Sequence, residues 1–458
     1  MTNPKSLTFK GAVLRLHLER VKLSGCHKSP IRVSVVFTCN EPNRAGWPYI
    51  NYDCDRRAER LMEILRMGLQ DFDFTHYVLR HKEEVDGIDW ERFDGIVVYM
   101  ISGNWRGIAE RIIEMRRPTI LIDDLFGGSG GFLRAHSIAR RKNLPVVGVS
   151  SSNMNDAIDA IRLLRVIKML RNSRILDVTD RDISDISSEI RDTFGIKVIK
   201  ITSDELNAYY EKTNEAEAEK IADKWVRDAL KVVEPSREEI VRSARMYLAL
   251  KKAMQDNDAD AVTIDCLSLC YEAKIPAYPC LALFQLNNEG STGVCEADLN
   301  STITQLMMRY LTGRPGYVSD PVIDTASNQI IYAHCVASNR VYGPNGLSNP
   351  YIIRSHSEDR KGASVQSLMP LGETVTTLRI SVEAKAMCIH QGITVANIED
   401  DRACRTKLAA KTDAERILEN WNVEVDFGWH RVTFYGDWRR QAINLARLLG
   451  LKVIEEDK

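Results

Sequence analysis

The sequence lacks several motifs that would indicate a function directly. Its ten cysteines form no Cys-x-x-Cys pair, and the closest two, Cys266 and Cys270, are separated by three residues, so structural zinc is not indicated. The glycine-rich run Gly127–Gly131 lacks the Gly-Lys-Ser/Thr ending of a phosphate-binding loop, and no Rossmann fingerprint follows a predicted strand. We interpret Gly127–Gly131 as a flexible turn or an active-site lid.

An excess of charge of one sign is also missing. Lys and Arg total 62 against 63 for Asp and Glu, so neither nucleic acid nor an anionic membrane is indicated as a partner. Residues 1–22 lack the continuous apolar core of a signal peptide, and no later segment is long and apolar enough to cross a bilayer. We therefore expect a cytoplasmic protein whose scattered cysteines are reduced and mostly buried.

What the sequence does contain is a repeated alternation of short β-branched runs and amphipathic stretches. This pattern covers Ile31–Leu170 and then Arg174–Leu286, and it is typical of parallel sheets flanked by helices. Short strand-like runs within Val375–Ile398 predict an antiparallel sheet or barrel. The predicted fold class is therefore α/β, with two parallel-sheet α/β units followed by a C-terminal antiparallel β domain. The predicted domain ranges are 1–172, 173–337 and 338–458.

Some element bounds are predicted in more detail. One highly charged helical stretch is predicted over Asp204–Leu230. In the third part, Val375–Val382, Lys385–Ile389 and Gly392–Ile398 are predicted as separate strands.

Acidic and imidazole side chains follow three successive predicted strands of the second unit. Glu296, Asp320 and His334 each stand where a strand is predicted to end, and His430 lies near the C-terminus. Ligands of open parallel sheets bind at the carboxyl ends of strands, so these side chains predict a site. Two close carboxylates need a cation to offset their repulsion, and oxygen ligands outnumber nitrogen, so Mn²⁺ or Mg²⁺ is favoured. In the alternative interpretation, Glu296 interacts with a helix start and Asp320 forms a turn.

The surrounding motifs resemble a known family. Pro-Cys-Leu-Ala-Leu-Phe-Gln-Leu-Asn-Asn, Cys-Glu-Ala-Asp-Leu, Leu-Thr-Gly-Arg-Pro, Ser-Asp-Pro and Ala-His-Cys lie between Pro279 and Cys335. They are similar to the central region of the L-fucose isomerase and L-arabinose isomerase superfamily. The likeness extends to Ser364, Gln366 and the Gly-Trp-His block at His430.

This resemblance implies a ligand set and catalytic roles. In the family a glutamate, an aspartate and a C-terminal histidine hold Mn²⁺, which by position are Glu296, Asp320 and His430, and Mg²⁺ or Co²⁺ are alternative ions. Glu296 and Asp320 would also transfer protons. The arabinose branch adds a fourth ligand, a histidine to which His334 corresponds, whereas the fucose branch does without it.

The resemblance also implies substrate contacts and assembly. The family builds part of its sugar pocket from an N-terminal loop, often of a neighbouring subunit, which suggests Arg44 and Trp47 as contacts, with Trp105 similar; a plain surface loop is the alternative. Ser364 and Gln366 are the corresponding C-terminal candidates. Family members assemble as trimers or hexamers, so we expect a homo-trimer or homo-hexamer.

The implied activity is metal-dependent aldose–ketose isomerisation of a free, fucose- or arabinose-like sugar through a cis-enediol. Two other interpretations stay open. The chain is shorter than the fucose isomerases, so a divergent member that binds or converts an unusual or acidic sugar fits the sequence. A catalytically inactive sugar-binding paralogue is the other.

Overall fold

A computed structural model of the chain describes residues 29–103 and 107–458. In these described ranges, the first unit contains five strands and four α-helices. The strands are β1 (Ile31–Thr38), β2 (Phe72–Leu79), β3 (Gly95–Met100), β4 (Thr119–Asp123) and β5 (Val146–Ser150). The helices are α1 (Cys54–Gly68), α2 (Ile108–Ile113), α3 (Ser129–Arg141) and α4 (Met154–Arg171).

The five strands run parallel in the spatial order β2-β1-β3-β4-β5. Helices cover both faces, so β1 and β3 are buried along nearly their whole length, as their β-branched sequences require. The winding direction reverses between β1 and β3, which is where open parallel sheets bind ligands. The loop of residues 39–53 begins at this edge.

A disulfide between Cys39 and Cys54 closes this loop. The prediction that the cysteines are reduced is therefore wrong for this pair, whereas the seven other cysteines of the described ranges are free. No local spacing motif marks the pair, because only the fold brings the end of β1 next to the start of α1.

The glycine-rich run Gly127–Gly131 spans a turn and the start of helix α3. Ser129 begins α3, and its hydroxyl donates a hydrogen bond to Asp123 Oδ1 over 2.8 Å. A Cβ atom at Gly128 would overlap the main-chain carbonyl of Met100. The glycines therefore allow the start of a helix to approach the sheet closely.

The second unit has four parallel strands in the order β7-β6-β8-β9, where the strands are β6 (Arg174–Val178), β7 (Lys197–Ile201), β8 (Ala261–Ile264) and β9 (Thr292–Cys295). Its helices are α5 (Ser184–Phe194), α6 (Ser203–Glu211), α7 (Glu215–Asp228), α8 (Arg237–Asp256), α9 (Cys266–Tyr271), α10 (Cys280–Asn288) and α11 (Leu299–Thr312). The stretch predicted as one helix is two, because Asn214 accepts a hydrogen bond from the Glu217 amide and starts α7 anew.

The third part contains nine strands: β10 (Tyr317–Asp324), β11 (Gln329–His334), β12 (Tyr351–Arg354), β13 (Ser364–Ser367), β14 (Thr374–Ser381), β15 (Ala386–Asn397), β16 (Thr406–Lys411), β17 (Arg431–Tyr435) and β18 (Lys452–Glu455). Its helices are α12 (Ala414–Glu419) and α13 (Arg439–Leu448). Six strands form a closed antiparallel barrel in the order β14-β17-β10-β11-β16-β15, closed by the pairing of β14 with β15. No helix in the described ranges is both long and apolar enough to span a membrane.

The fold class is as predicted, but two strands belong to a different sheet from the one expected. β10 and β11 were predicted in the second α/β unit, and both are strands of the barrel. Asp320 therefore lies inside an antiparallel strand, opposite Ala333, and not at the end of a parallel one. The strands predicted at Lys385–Ile389 and Gly392–Ile398 are one continuous strand, β15. The domain ranges themselves stay a prediction.

Candidate active site

Glu296 lies on a tight turn between strand β9 of the second parallel sheet and helix α11. Glu296 and Ala297 both have left-handed backbone conformations, with φ of 66° and 49°. Such conformations cost non-glycine residues about 1–2 kcal/mol each. The Ala297 amide donates to the Ile264 carbonyl over 2.9 Å, which fixes the turn at the end of β8. The turn places the Glu296 carboxylate against two barrel histidines.

Asp320 and His430 are neighbours on the outer face of the barrel. Ser319 of β10 pairs with Arg431 of β17. The two strands are antiparallel, so Asp320 and His430, the next residues in this register, lie beside each other. His430 Nε2 is 3.2 Å from Asp320 Oδ1 and 3.3 Å from Glu296 Oε2. Three side chains from distant parts of the sequence thus meet at one nitrogen atom.

A third carboxylate fixes the orientation of the His430 ring. His430 Nδ1 lies 2.7 Å from Asp298 Oδ2, and an ionised carboxylate only accepts hydrogen bonds, so Nδ1 carries a proton. Arg379 donates to both oxygens of Asp298, over 2.5 and 3.1 Å. Asp298 also caps helix α11 by accepting from the Ser301 amide. His430 Nε2 is therefore the nitrogen that faces the acids.

His334 is held in a different tautomer. Its Nδ1 accepts a hydrogen bond from the Cys335 amide over 2.9 Å, so that nitrogen has no proton. The proton of a neutral ring then lies on Nε2, which is 3.3 Å from Glu296 Oε1. In this arrangement His334 donates to Glu296 and offers no lone pair to an ion. The geometry favours His430 as a ligand, and ligation by His334 stays a prediction.

The site perturbs the pKa of its own groups strongly. Burial raises the pKa of Glu296, but hydrogen bonds from His334 and His430 outweigh burial and hold the pKa far below its usual range. Burial lowers the pKa of His430, but Asp298, Asp320 and Glu296 outweigh burial and raise it well above its usual value. Without another cation, His430 therefore holds a proton between the acids.

Two groups of donor atoms lie close enough together to hold a metal ion. The ligand atoms of Asp320, His334 and His430 lie within 4.8 Å of one another, as do those of Cys295, Glu296 and His334. Two adjacent ligand atoms of an octahedral ion with bonds of about 2.1 Å are about 3 Å apart. The distances from His430 Nε2 to Asp320 Oδ1 and to Glu296 Oε2 are close to this value. The second of these groups contains a thiol and the first contains two imidazoles, so the choice of Mn²⁺ or Mg²⁺ over structural zinc stays a prediction.

The predicted C-terminal substrate residues both form hydrogen bonds at the β12/β13 hairpin. The Ser364 hydroxyl is buried and donates to the Ser355 carbonyl over 2.9 Å. Gln366 Oε1 accepts from Arg354 Nη1 over 2.9 Å, beside an ion pair between Arg354 and Glu234. These hydrogen bonds hold the β12/β13 hairpin together, and substrate contact by either residue stays a prediction.

The predicted N-terminal contacts lie on the disulfide-closed loop. Arg44 forms a loose ion pair with Glu41 over 3.8 Å, and the Trp47 side chain is 60% exposed. The Trp47 carbonyl accepts from Asn40 and from the Gly103 amide, which ties the loop to the sheet edge. Trp105 lies outside the described residues. None of these contacts brings Arg44 or Trp47 to the acids of the candidate site in the same chain. Their roles as substrate contacts stay predictions.

Sequence reasoning missed the residues that orient the site. Asp298 starts helix α11 and also fixes the ring of His430. Arg379, which neutralises Asp298, lies in β14 and has no local motif. The one available signal was the spacing Glu296-Ala-Asp298, which puts a second carboxylate next to the first.

The Asp298→Asn variant is expected to weaken Mn²⁺ binding by about 10- to 100-fold, as is typical when a group that orients a ligand is altered. Asparagine still caps a helix well, so the change removes mainly the charge behind His430. Isothermal titration with Mn²⁺ measures the effect. Asp413→Asn is the matched control, because Asp413 caps α12 in the same way and is exposed. Equal affinities of the two variants would contradict the orienting role.

Comparison with protein-family models finds no match. Two curated proteins are similar to the chain, the sulfoquinovose isomerases of Priestia aryabhattai and Priestia megaterium, each 26% identical over 230 residues. The match covers 47% of this chain and 48% of each relative, so the chain spans about half the length of the curated relatives it matches. This similarity supports a relationship to sugar isomerases in general, and the L-fucose and L-arabinose branch stays a prediction.

Proposed function

We propose that the protein is an aldose–ketose isomerase that uses a divalent metal ion held by Glu296, Asp320 and His430. One observation carries the proposal: His430 Nε2 lies between two carboxylate oxygens, 3.2 and 3.3 Å away. With Nδ1 protonated by its bond to Asp298, a lone pair on Nε2 would repel both acids. Only a proton or a metal ion between them makes this arrangement favourable.

The metal has a definable role. A bound Mn²⁺, Mg²⁺ or Co²⁺ would stabilise negative charge on the two neighbouring oxygens of the sugar at C1 and C2. Two of the residues that would hold it are positioned by the barrel. Asp320 lies within strand β10, and His430 directly precedes strand β17.

The chain's own acids would move the protons. An aldose becomes a ketose when the C2–H bond breaks, a C1–H bond forms and one proton passes from O2 to O1, through a cis-enediol. Glu296 has its two oxygens in different surroundings, Oε1 near His334 and Oε2 near His430. A carboxylate that binds an ion through one oxygen keeps the other as a base, and the His334 N–H orients Oε1 for this task. Asp320 is the second proton carrier.

Two substrate classes follow from different observations. The motifs around Glu296, Asp320 and His430 resemble isomerases of fucose- and arabinose-like sugars. The similarity to sulfoquinovose isomerases favours sulfoquinovose, a sugar that carries a sulfonate, as the second candidate. A sugar-binding paralogue without activity is less consistent with the site, because pure binding does not need acids, imidazole and an orienting carboxylate around one atom.

The same proposal includes assembly into a homo-trimer or homo-hexamer. Trp47, Tyr49 and Ile50 are each more than half exposed on the disulfide-closed loop. An apolar cluster of this kind on a fixed loop fits a contact with another subunit.

The test is conversion of a panel of aldoses by protein loaded with Mn²⁺, Mg²⁺ or Co²⁺, with product ketose separated by chromatography. We expect conversion of at least one panel member, loss of conversion after treatment with a chelator, and recovery when the ion is restored. A protein that binds the ion with the three expected ligands and converts no member of the panel would contradict the proposal.

A further inference from the structure

Two free cysteines meet beside the candidate site. Cys335 directly follows β11 and Cys404 lies two residues before β16, and these two strands pair as far as His334 and Thr406. The two thiols form a side-chain hydrogen bond with each other. The Ser357 hydroxyl contacts both sulfur atoms, at 3.8 Å from Cys335 Sγ and 3.7 Å from Cys404 Sγ. The fold therefore brings together two thiols that are distant in sequence.

A histidine and a carboxylate complete the group on the side of Cys335. His356 Nδ1 lies 3.1 Å from Asp359 Oδ1, and an ionised carboxylate only accepts hydrogen bonds, so Nδ1 carries a proton. Tyr278 also donates to Asp359 and holds the carboxylate in place. His356 forms a further side-chain hydrogen bond with the Cys335 thiol, so Nε2 is the nitrogen that faces the sulfur atom. A thiol, an imidazole and a carboxylate in this order form the arrangement that activates cysteine nucleophiles.

Solvent reaches the thiol pair through Cys404. Cys335 is buried, with 2% of its surface exposed, whereas Cys404 is partly exposed. Cys404 lies in the loop of residues 398–405 between β15 and β16, and residues 399–403 of this loop are all exposed. A small oxidant can therefore approach the two sulfur atoms from this loop.

A second pair of thiols provides a contrast in access. Cys266 and Cys295 also share a side-chain hydrogen bond, and Cys295 Sγ lies 3.6 Å from His334 Nε2. Both thiols of this pair are buried. Of the two pairs, Cys335 and Cys404 are the one in which the contact between thiols has an open side.

Cys335 is also connected to the candidate site through its backbone. Its amide donates to His334 Nδ1 over 2.9 Å, and His334 Nε2 lies 3.3 Å from Glu296 Oε1. The two sulfur atoms of a disulfide are about 2.05 Å apart, much closer than two thiols in contact. A bond between Cys335 and Cys404 would therefore pull Cys335 toward its partner and disturb the contacts that orient Glu296.

We propose that Cys335 and Cys404 are a redox modification site, at which a hydroperoxide oxidises the two thiols to a reversible disulfide. In the first step the Cys335 thiol gives its proton to His356, and Sγ attacks the O–O bond to form a sulfenic acid. The proton then passes to the leaving oxygen, which departs as an alcohol, or as water when the oxidant is hydrogen peroxide. In the second step Cys404 Sγ displaces the sulfenic hydroxyl, which takes the Cys404 proton and leaves as water.

The electrons of this sequence balance. The two sulfur atoms lose two electrons in total, and the hydroperoxide gains both. The formation of the disulfide does not depend on isomerase activity. Its effect on Glu296 as a metal ligand rests on the proposed function.

Mass spectrometry tests the modification directly. Wild type is treated with a small excess of hydrogen peroxide, its remaining thiols are alkylated, and the protein is digested without reductant. We expect a pair of peptides linked through Cys335 and Cys404 that separates after treatment with dithiothreitol. In Cys404→Ser the sulfenic acid on Cys335 should accumulate and react with dimedone. Cys270→Ser is the matched control, because Cys270 is also a partly exposed free cysteine, and it should form the linked pair as wild type does.

The rate of the reaction tests the role of His356. His356→Gln is expected to slow formation of the linked pair by at least about 100-fold, the lower end of what a positioned base contributes. Formation at the wild-type rate would overturn the assignment of His356 as the base. Oxidation of wild type that leaves Cys335 and Cys404 unlinked, or that links other cysteines instead, would overturn the modification site itself.

Calorimetric titration with Mn²⁺ separates this inference from the proposed function. After removal of the peroxide, oxidised wild type is expected to bind Mn²⁺ about 10- to 100-fold more weakly than reduced wild type, as when a group that orients a ligand is disturbed. The double variant Cys335→Ser and Cys404→Ser should bind equally well before and after peroxide. A linked pair with unchanged Mn²⁺ affinity would overturn the effect on Glu296. A linked pair in a protein that binds no Mn²⁺ even when reduced would instead overturn the proposed function alone.

Discussion

Glu296→Gln is expected to lower the rate at which the Mn²⁺-loaded protein exchanges the C2 proton of its aldose by about 10²- to 10⁴-fold, the usual contribution of a general base. The amide keeps the size of the carboxylate and an oxygen toward His430, but it cannot accept a proton. Glutamine is unbranched at Cβ like glutamate, so the left-handed backbone at Glu296 should cost the variant no more than wild type and folding should be retained. Deuterium uptake from D₂O, followed by NMR, measures the rate.

The variant must be compared with wild type at Mn²⁺ concentrations that saturate both proteins. Saturation removes any loss of metal affinity from the comparison and leaves the loss of the base. Glu399→Gln is the matched control, since Glu399 is exposed in the loop before β16. Exchange by Glu296→Gln at the wild-type rate would contradict the assignment of Glu296 as the base.

Asp177→Asn is expected to remove a large pH dependence of stability. Asp177 lies in β6, is fully buried, and neither of its carboxylate oxygens has a hydrogen-bond partner in the described ranges. Its register partner Thr263 likewise has an unpaired hydroxyl. Burial raises the pKa of Asp177 to about 7, with Asp265 acting in the same direction and Arg181 and Lys200 opposing it.

The sign of this effect follows from proton binding. Between its ordinary pKa of 3.8 and about 7, Asp177 is ionised in the unfolded chain and protonated in the folded one. The unfolded state binds fewer protons there, so stability falls as pH rises through this window. At about 1.36 kcal/mol per pH unit, the total loss is roughly 4 kcal/mol above pH 7.

Urea unfolding of wild type and Asp177→Asn at about pH 4 and about pH 8 checks this expectation. The fall in the free energy of unfolding between these pH values should be much larger for wild type than for Asp177→Asn. Asp192→Asn, a substitution of an exposed aspartate, is the control and should behave like wild type. Parallel pH dependences of wild type and Asp177→Asn would show that Asp177 ionises as readily in the folded protein as in the unfolded chain.

The local part of this fold could be predicted from sequence because its signals are local. The alternation of β-branched runs and amphipathic stretches over Ile31–Leu170 and Arg174–Leu286 predicts parallel sheets flanked by helices, and the structure has two such sheets there. Asn214, a good helix cap inside a charged helical stretch, was the signal for the break between α6 and α7. The group of Glu296, Asp320 and His430 could be anticipated because family-like motifs mark each member, although Asp320 lies inside a strand and not at its end.

What could not be predicted depends on contacts between distant residues. The sequence of β10 is apolar enough for either a parallel sheet or a barrel, and only its partners β11 and β17 decide which it joins. The pairing of Cys39 with Cys54 and the contact of Asp298 with His430 arise in the same way.

The most direct test of the account is NMR of the product formed in D₂O by the Mn²⁺-loaded protein from an aldose that it converts. Proton transfer by Glu296 and Asp320 predicts solvent deuterium on the carbon that receives the proton, and no uptake after removal of the metal. Ketose that forms at the same rate without any deuterium on carbon would contradict proton transfer by these acids, because the hydrogen would then have moved directly from C2 to C1.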